Sequence, residues 1–255
     1  MTTIVAIRTN AGEDGIVLAA DTQSNVYSGE ELDTKSIGYK MWVGRNWALA
    51  YTGVYTPELV RLKGMLSGLK RYHSSEDRAK EIIKRALTPR KSGQRVFEEV
   101  LELNSRVRSK GSIEDCLEFV LATNEPEFGV WHVHEFGVLR NAYEFAKAEG
   151  LEISFENIVI GTGSEIVRSY LDEISEGADG IDVTEITLPV AIRVASNAVF
   201  KARRDAATGG TVDLAVLTRN SVKAFGREIE RKVRQAEISC VEEIAAHYSS
   251  ESEAQ

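Results

Sequence analysis

The chain has 255 residues, 43% of them hydrophobic, and a formal net charge of -8. That length builds one large domain or two small ones, and an acidic chain repels phosphate backbones, which argues against nucleic acid as a partner. No apolar run approaches the roughly 20 residues that cross a bilayer, so no membrane association is expected.

The opening segment MTTIVAIRTN lacks the basic-then-apolar order of a signal peptide. Cys116 and Cys240 form no spaced motif, so a reduced, cytoplasmic setting is expected. Residues 3–8 are β-branched and apolar and predict a strand. Gly12 to Gly15 (GEDG) predicts a turn, and residues 16–21 (IVLAAD) a second strand, together a hairpin. Residues 40–43 and 47–52 repeat the pattern around Gly44-Arg45-Asn46, so four strands are expected before the first helix.

Thr56-Pro57-Glu58 reads as a helix start, with Thr at the cap and Pro at the first position; Leu59, Leu62, Leu66 and Leu69 follow at helical spacing. A second helix opens at Ser75-Glu76-Asp77 and ends at Pro89, and a third amphipathic stretch covers 94–107. Strands are expected at 116–123, 129–136, 138–143 and 158–161, and helices at 164–174 and 185–207. A last hairpin is expected at 212–218 and 222–225. A charged helix over 227–247 leads to the polar tail 249–255, which reads as disordered. Segregated runs of strands and helices predict an α+β fold with helices on antiparallel sheet, as a single domain over 1–248.

Four segments carry the candidate chemistry. Met1-Thr2-Thr3 is either an ordinary start before a strand or the source of an N-terminal threonine. Trimmed to Thr2, the chain would carry a nucleophilic hydroxyl beside its own base, an α-amine with an unperturbed pKa of about 7.7–8.0. Asp21 follows an apolar strand directly, and Lys40 stands at the entry to another. Each is either a solvated strand end or one half of a buried pair, because a buried ammonium is costly alone. As a pair they place positive charge where it lowers the pKa of a neighbouring hydroxyl. Gly53 lets backbone approach a ligand and offers an N–H to an oxyanion. Two glycine-rich turns remain, Gly161-Thr162-Gly163-Ser164 and Arg204-Asp205-Ala206-Ala207-Thr208-Gly209-Gly210. The first lacks the lysine and length of a P-loop, and Ser164 is expected to cap its helix. His132 and His134 alternate on one strand face, which is either an ordinary sheet surface or two-thirds of a metal site with no third ligand evident.

In that order, TTIVAI, GIVLAADTQS, Lys40, the Ala-rich strand ending at Gly53, GTGSE and RDAATGG resemble the proteasome β-type subunits and the simpler bacterial HslV-type peptidases, across roughly 2–225. The resemblance implies the N-terminal nucleophile (Ntn) hydrolase fold, a four-layer αββα sandwich, and a threonine endopeptidase built as a homo-oligomeric ring. It places the nucleophile on Thr2, its acid–base support on Asp21 and Lys40, the oxyanion glycine on Gly53, and the amine-binding hydroxyl on Thr162. Asp205 and Thr208 complete the site. Substrate-binding positions fall on Ser24, Trp42, Tyr51 and Tyr55. The last three would leave a narrow, uncharged pocket that prefers small or slender apolar residues. Peptide or unfolded protein is the expected substrate and an AAA+ ATPase the expected partner, with no cofactor and no metal. The chain departs from the family in carrying Thr162 and Thr208 for serines and Gln23 for an arginine. It also has a longer first hairpin, one residue fewer between Lys40 and Gly53, and only Met1 ahead of Thr2. Two other readings share these residues: an Ntn amidohydrolase or transpeptidase on another substrate, and an inert ring subunit that keeps Met1.

Overall fold

The structure is a computed structural model that describes residues 2–28, 31–38, 40–53, 118–124, 128–134, 139–140, 157–177, 181, 185–205, 208–225 and 237–252. Two five-stranded antiparallel sheets organise it. The first has the order β10 (Asn157–Gly161), β1 (Thr3–Arg8), β2 (Gly15–Asp21), β11 (Val212–Thr218) and β12 (Val222–Ala224). The second runs β5 (Met41–Val43), β6 (Trp47–Thr52), β7 (Glu118–Thr123), β8 (Gly129–His134) and β9 (Leu139–Arg140). Three helices are described: α1 (Ser164–Ser175), α2 (Leu188–Ala202) and α3 (Glu237–Ser252). None among the described residues is long and apolar enough to cross a membrane.

The alternation of side chains along a strand sorts the core into two layers. Val5, Ile7, Val17, Ala19, Val212, Leu214 and Val216 face the helices and pack with Val167, Leu171, Ile192, Val199 and Ile244. Ile4, Ala6, Ile16, Leu18, Ala20, Ala215 and Leu217 face the other way, onto Met41, Ala48, Ala50, Val120, Ala122 and Val130 of the second sheet. Both faces of the central strands are therefore buried, which is why TIVAIR and GIVLAAD read as nearly continuous apolar runs. Small residues on α2, namely Ala191, Ala195, Ala198 and Ala202, are fully buried and let the helix close onto the sheet. At the end remote from Thr2, the Arg8 and Arg219 guanidinium groups lie 5.5 Å and 5.2 Å from the Phe128 ring centre, tying the two sheets together.

Helices, sheet and sheet make three stacked layers, and the α+β expectation holds at that level. The helices expected within 56–107, which would supply a fourth layer, lie outside the described residues. Trp47, Leu49, Tyr51, Phe119 and Leu121, on the face of the second sheet turned away from the first, are nonetheless 6% exposed or less.

Three expectations need correction. Six strands, not four, precede residue 53, because β3 (Gln23–Ser28) and β4 (Glu31–Ile37) form a separate two-stranded hairpin. Its sequence, QSNVYS and ELDTKSI, is too polar to mark a core strand. The α1 helix is capped by Gly163, and Ser164 is its first residue, with no side-chain cap bond. The polar tail is helical as far as Ser252; Ser249 Oγ donates to the Ala245 carbonyl at 3.2 Å, a bond one turn back that sequence polarity does not reveal.

Candidate functional site

The first strand delivers its opening residues to one corner of the sandwich. Ile4 pairs with Ala20 on one side and Ile160 on the other, so Thr3 is flanked by the last residue of β2, Asp21, and by Gly161. Asp21 is fully buried. Its Oδ1 accepts the Thr3 N–H at 2.8 Å and lies 3.4 Å from Lys40 Nζ. Its Oδ2 accepts the Gln23 N–H at 3.2 Å and the Gly209 N–H at 3.1 Å. Four donors converge on one carboxylate, and each of them favours its ionised form.

Lys40 is itself 4% exposed. Besides Asp21, its ammonium donates to the Gln23 carbonyl, and its own carbonyl accepts the Tyr51 N–H at 3.0 Å, two residues before Gly53. Burial is the largest influence on both partners: it pushes the Asp21 carboxyl above its usual range and the Lys40 ammonium below its own. The attraction between the two opposes both shifts, as do the three backbone donors on Asp21.

The loop from Gly161 to Gly163 closes over the same strand start. Gly161 has φ +96°, and a Cβ there would sit 1.6 Å from the Thr2 carbonyl oxygen, so only glycine fits. The next amide, Thr162 N–H, donates to that carbonyl at 3.0 Å. Gly163 N–H then donates to Thr3 Oγ1 at 3.1 Å, and a Cβ on Gly163 would come within 2.3 Å of that oxygen. Thr3 Oγ1 is also 2.8 Å from Thr208 Oγ1.

The structure thus gathers Thr2, Asp21, Lys40, Thr162 and Thr208 at one corner. Thr2 is 3% exposed. The Thr162 hydroxyl is buried and has no hydrogen-bond partner. Gly53 follows β6 at φ +109°, a conformation that favours glycine. Asp205 is half-buried, and its carbonyl accepts the Thr208 N–H at 3.2 Å. Thr208 spends its hydroxyl on Thr3, a partner that the sequence reading did not single out. Trp42 and Tyr51 stack with ring centres 5.1 Å apart and are 8% and 6% exposed. Ser24 lies on β3, where the backbone alone is described, and Tyr55 and Met1 fall outside the described residues. His132 turns its Nε2 to Glu118 Oε2 at 3.0 Å, and no group of three metal-binding side chains occurs among the described residues.

Sequence reasoning gave Thr3 no role, noticed Gly163 and Gly209 only as parts of glycine-rich turns, and read Gln23 only as a departure. Gln23 and Gly209 act through main-chain atoms, which leave no side-chain signature. Thr3 looks like any β-former in a strand, and its partner Thr208 stands 205 positions away.

Removing the Lys40 ammonium leaves the Asp21 charge buried without its counter-ion. Lys40→Ala is expected to lower stability by about 3–5 kcal/mol, read from the denaturant midpoint with the slope unchanged. A loss under 1 kcal/mol would mean that the pair holds nothing together.

No model of a known protein family matches the chain, and no curated protein matches it. Among solved structures, it is similar to an Anbu (Gly-1) mutant from Hyphomicrobium sp. strain MC1, at 14% sequence identity and a TM-score of 0.60, over 100% of this chain and 97% of that one. The likeness is one of fold, and that fold is proteasome-like.

Proposed function

We propose that the chain is a threonine peptidase whose nucleophile is Thr2, freed as the N-terminal residue by removal of Met1. The observation that supports this most is the buried Asp21–Lys40 pair set beside the strand that begins at Thr3. A desolvated ammonium is an expensive group to keep, and charge stabilisation of a neighbouring alkoxide gives it a use. The proteasome-like fold and the motifs of the sequence agree with the same reading.

In the proposed reaction, Thr2 Oγ1 attacks the scissile carbonyl, and the Thr2 α-amine takes the hydroxyl proton through a water. Lys40, held by Asp21, steadies the developing alkoxide, and the Gly53 N–H receives the oxyanion. As the C–N bond breaks, the amine returns the proton to the leaving nitrogen. Water then cleaves the Thr2 ester and restores the hydroxyl. The unpartnered Thr162 hydroxyl is the group we assign to the α-amine, where it orients the base. Asp205 supports the same corner. Substrates are peptides or unfolded protein, with Ser24, Trp42, Tyr51 and Tyr55 as the substrate-contacting set.

Thr2→Ala is expected to abolish turnover while leaving the fold intact, because the hydroxyl serves chemistry and not packing. Intact mass after treatment with a threonine-directed epoxyketone or β-lactone should show the chain without Met1 plus one inhibitor, and the Thr2→Ala chain unmodified. Retained turnover in Thr2→Ala would exclude the mechanism.

Two groups set the pH profile. The α-amine must be neutral, so kcat/KM should rise as pH passes its pKa, about 8 when unperturbed. Lys40 must be charged, and burial lowers its pKa from the usual 10.5, so activity should fall on the alkaline side below pH 10.5. A profile flat to that pH would remove Lys40's charge from the mechanism.

We also propose that the subunit works as a homo-oligomeric ring that encloses the Thr2 sites, served by an AAA+ ATPase. Light scattering at micromolar concentration should give a multiple of the subunit mass. A monodisperse monomer would count against it.

A further inference from the structure

Outside the strand ladder, Thr3 makes three hydrogen bonds at the site corner. Its amide holds Asp21 Oδ1 at 2.8 Å. Its hydroxyl accepts the Gly163 N–H at 3.1 Å and bonds the Thr208 hydroxyl at 2.8 Å. These three partners come from different stretches of chain: the end of β2, the loop before α1 and the loop before β11. Thr3 itself is fully buried, so no solvent competes for these bonds. The fit is close. Neither Gly163 nor Gly161 has room for a Cβ, the one because of Thr3 Oγ1 and the other because of the Thr2 carbonyl.

By strand alternation, Thr3 points with Val5 and Ile7 toward the helices, so residue 2 points to the opposite side, toward the second sheet. The Thr208 hydroxyl bonds Thr3 Oγ1, and among the described residues it makes no bond to Thr2. Thr208, which bonds Thr3, therefore acts on the sheet side only through the backbone that Thr3 anchors.

We propose that Thr3 is the positioning residue of the site. Its amide and hydroxyl lock the three loops to the strand that starts at Thr2, and Thr208 influences Thr2 only through Thr3. This rests on the reading of Thr2 as nucleophile. A displaced attacking atom costs rate more than binding, and a 1 Å misplacement can cost on the order of a hundred-fold.

The test compares Thr3→Val, which keeps the branched shape and loses the hydroxyl, with Thr3→Ser, which keeps the hydroxyl. Thr208→Val removes the same bond from the other side, and a Thr3→Val/Thr208→Val double variant completes the cycle. Two readouts are used: steady-state peptide cleavage, and hydrogen exchange at the Gly163 amide. Thr3→Val should lower kcat on the order of ten- to a hundred-fold, with KM within about two-fold. Thr3→Ser should recover most of the loss, and the double variant should be no slower than Thr3→Val. Exchange at Gly163 should be faster in Thr3→Val and close to wild type in Thr3→Ser. Unchanged kcat in Thr3→Val, or additive losses in the double variant, would overturn the proposal. If Thr3→Val does not fold, Thr208→Val and Thr3→Ser decide it: unchanged kcat and Gly163 exchange in Thr208→Val overturn it. If wild type neither cleaves peptides nor is labelled at Thr2 by an epoxyketone, the peptidase reading has failed on its own. Gly163 exchange then judges the lock, with unchanged exchange in Thr3→Val counting against it and faster exchange supporting it.

Discussion

The corner of the sandwich where β1 begins depends on a single carboxylate. Asp21 has no contact with solvent, and four donors meet its two oxygens. Three of these are backbone amides from separate stretches of chain, and the fourth is a lysine that could not be buried without it. The carboxylate thus fixes the start of β1, the exit from β2 and the loop before β11 relative to one another. It also draws Lys40 out of water. The other features of the corner, including the glycine loop over Thr2 and the hydroxyl bond between Thr3 and Thr208, are built on a strand whose position Asp21 sets.

The two apolar layers explain why this corner stays rigid. Each central strand of the first sheet buries both faces, one on helices and one on the second sheet. Slipping β1 by one residue would turn every apolar side chain to the wrong layer and carry residue 2 to the helix side. The core therefore specifies the facing of Thr2 as firmly as the hydrogen bonds do. This is the link from sequence periodicity to chemistry: alternation decides which of two adjacent threonines meets the second sheet and which is tied into the loops.

Much of this was legible in the sequence for physical reasons. TIVAIR and GIVLAAD bury on both faces, so their composition announced them, and a carboxylate closing an apolar run was conspicuous. Asp21 and Lys40 stood out because burying either alone is costly. What was not legible depends on main-chain atoms or on distance along the chain. The β3–β4 hairpin carries polar residues that resemble a loop. Thr3 is indistinguishable from an ordinary strand former until Thr208 is seen beside it. The glycines at 161 and 163 were noticed as a turn, but their purpose, making room for the Thr2 carbonyl and the Thr3 hydroxyl, belongs to the folded chain.

Gln23 serves the Asp21–Lys40 pair through its backbone. Both of its contributions to the ion pair are main-chain: its N–H reaches Asp21 and its carbonyl receives Lys40. Any residue except proline supplies those two atoms. These two bonds survive a change of side chain at position 23 as long as the new side chain fits beside Gly209, where the Gln23 side chain lies. A corner bonded largely through peptide groups in this way writes little of itself into the alphabet of side chains. Such a bonding pattern is better recognised by superposing backbones than by comparing spellings.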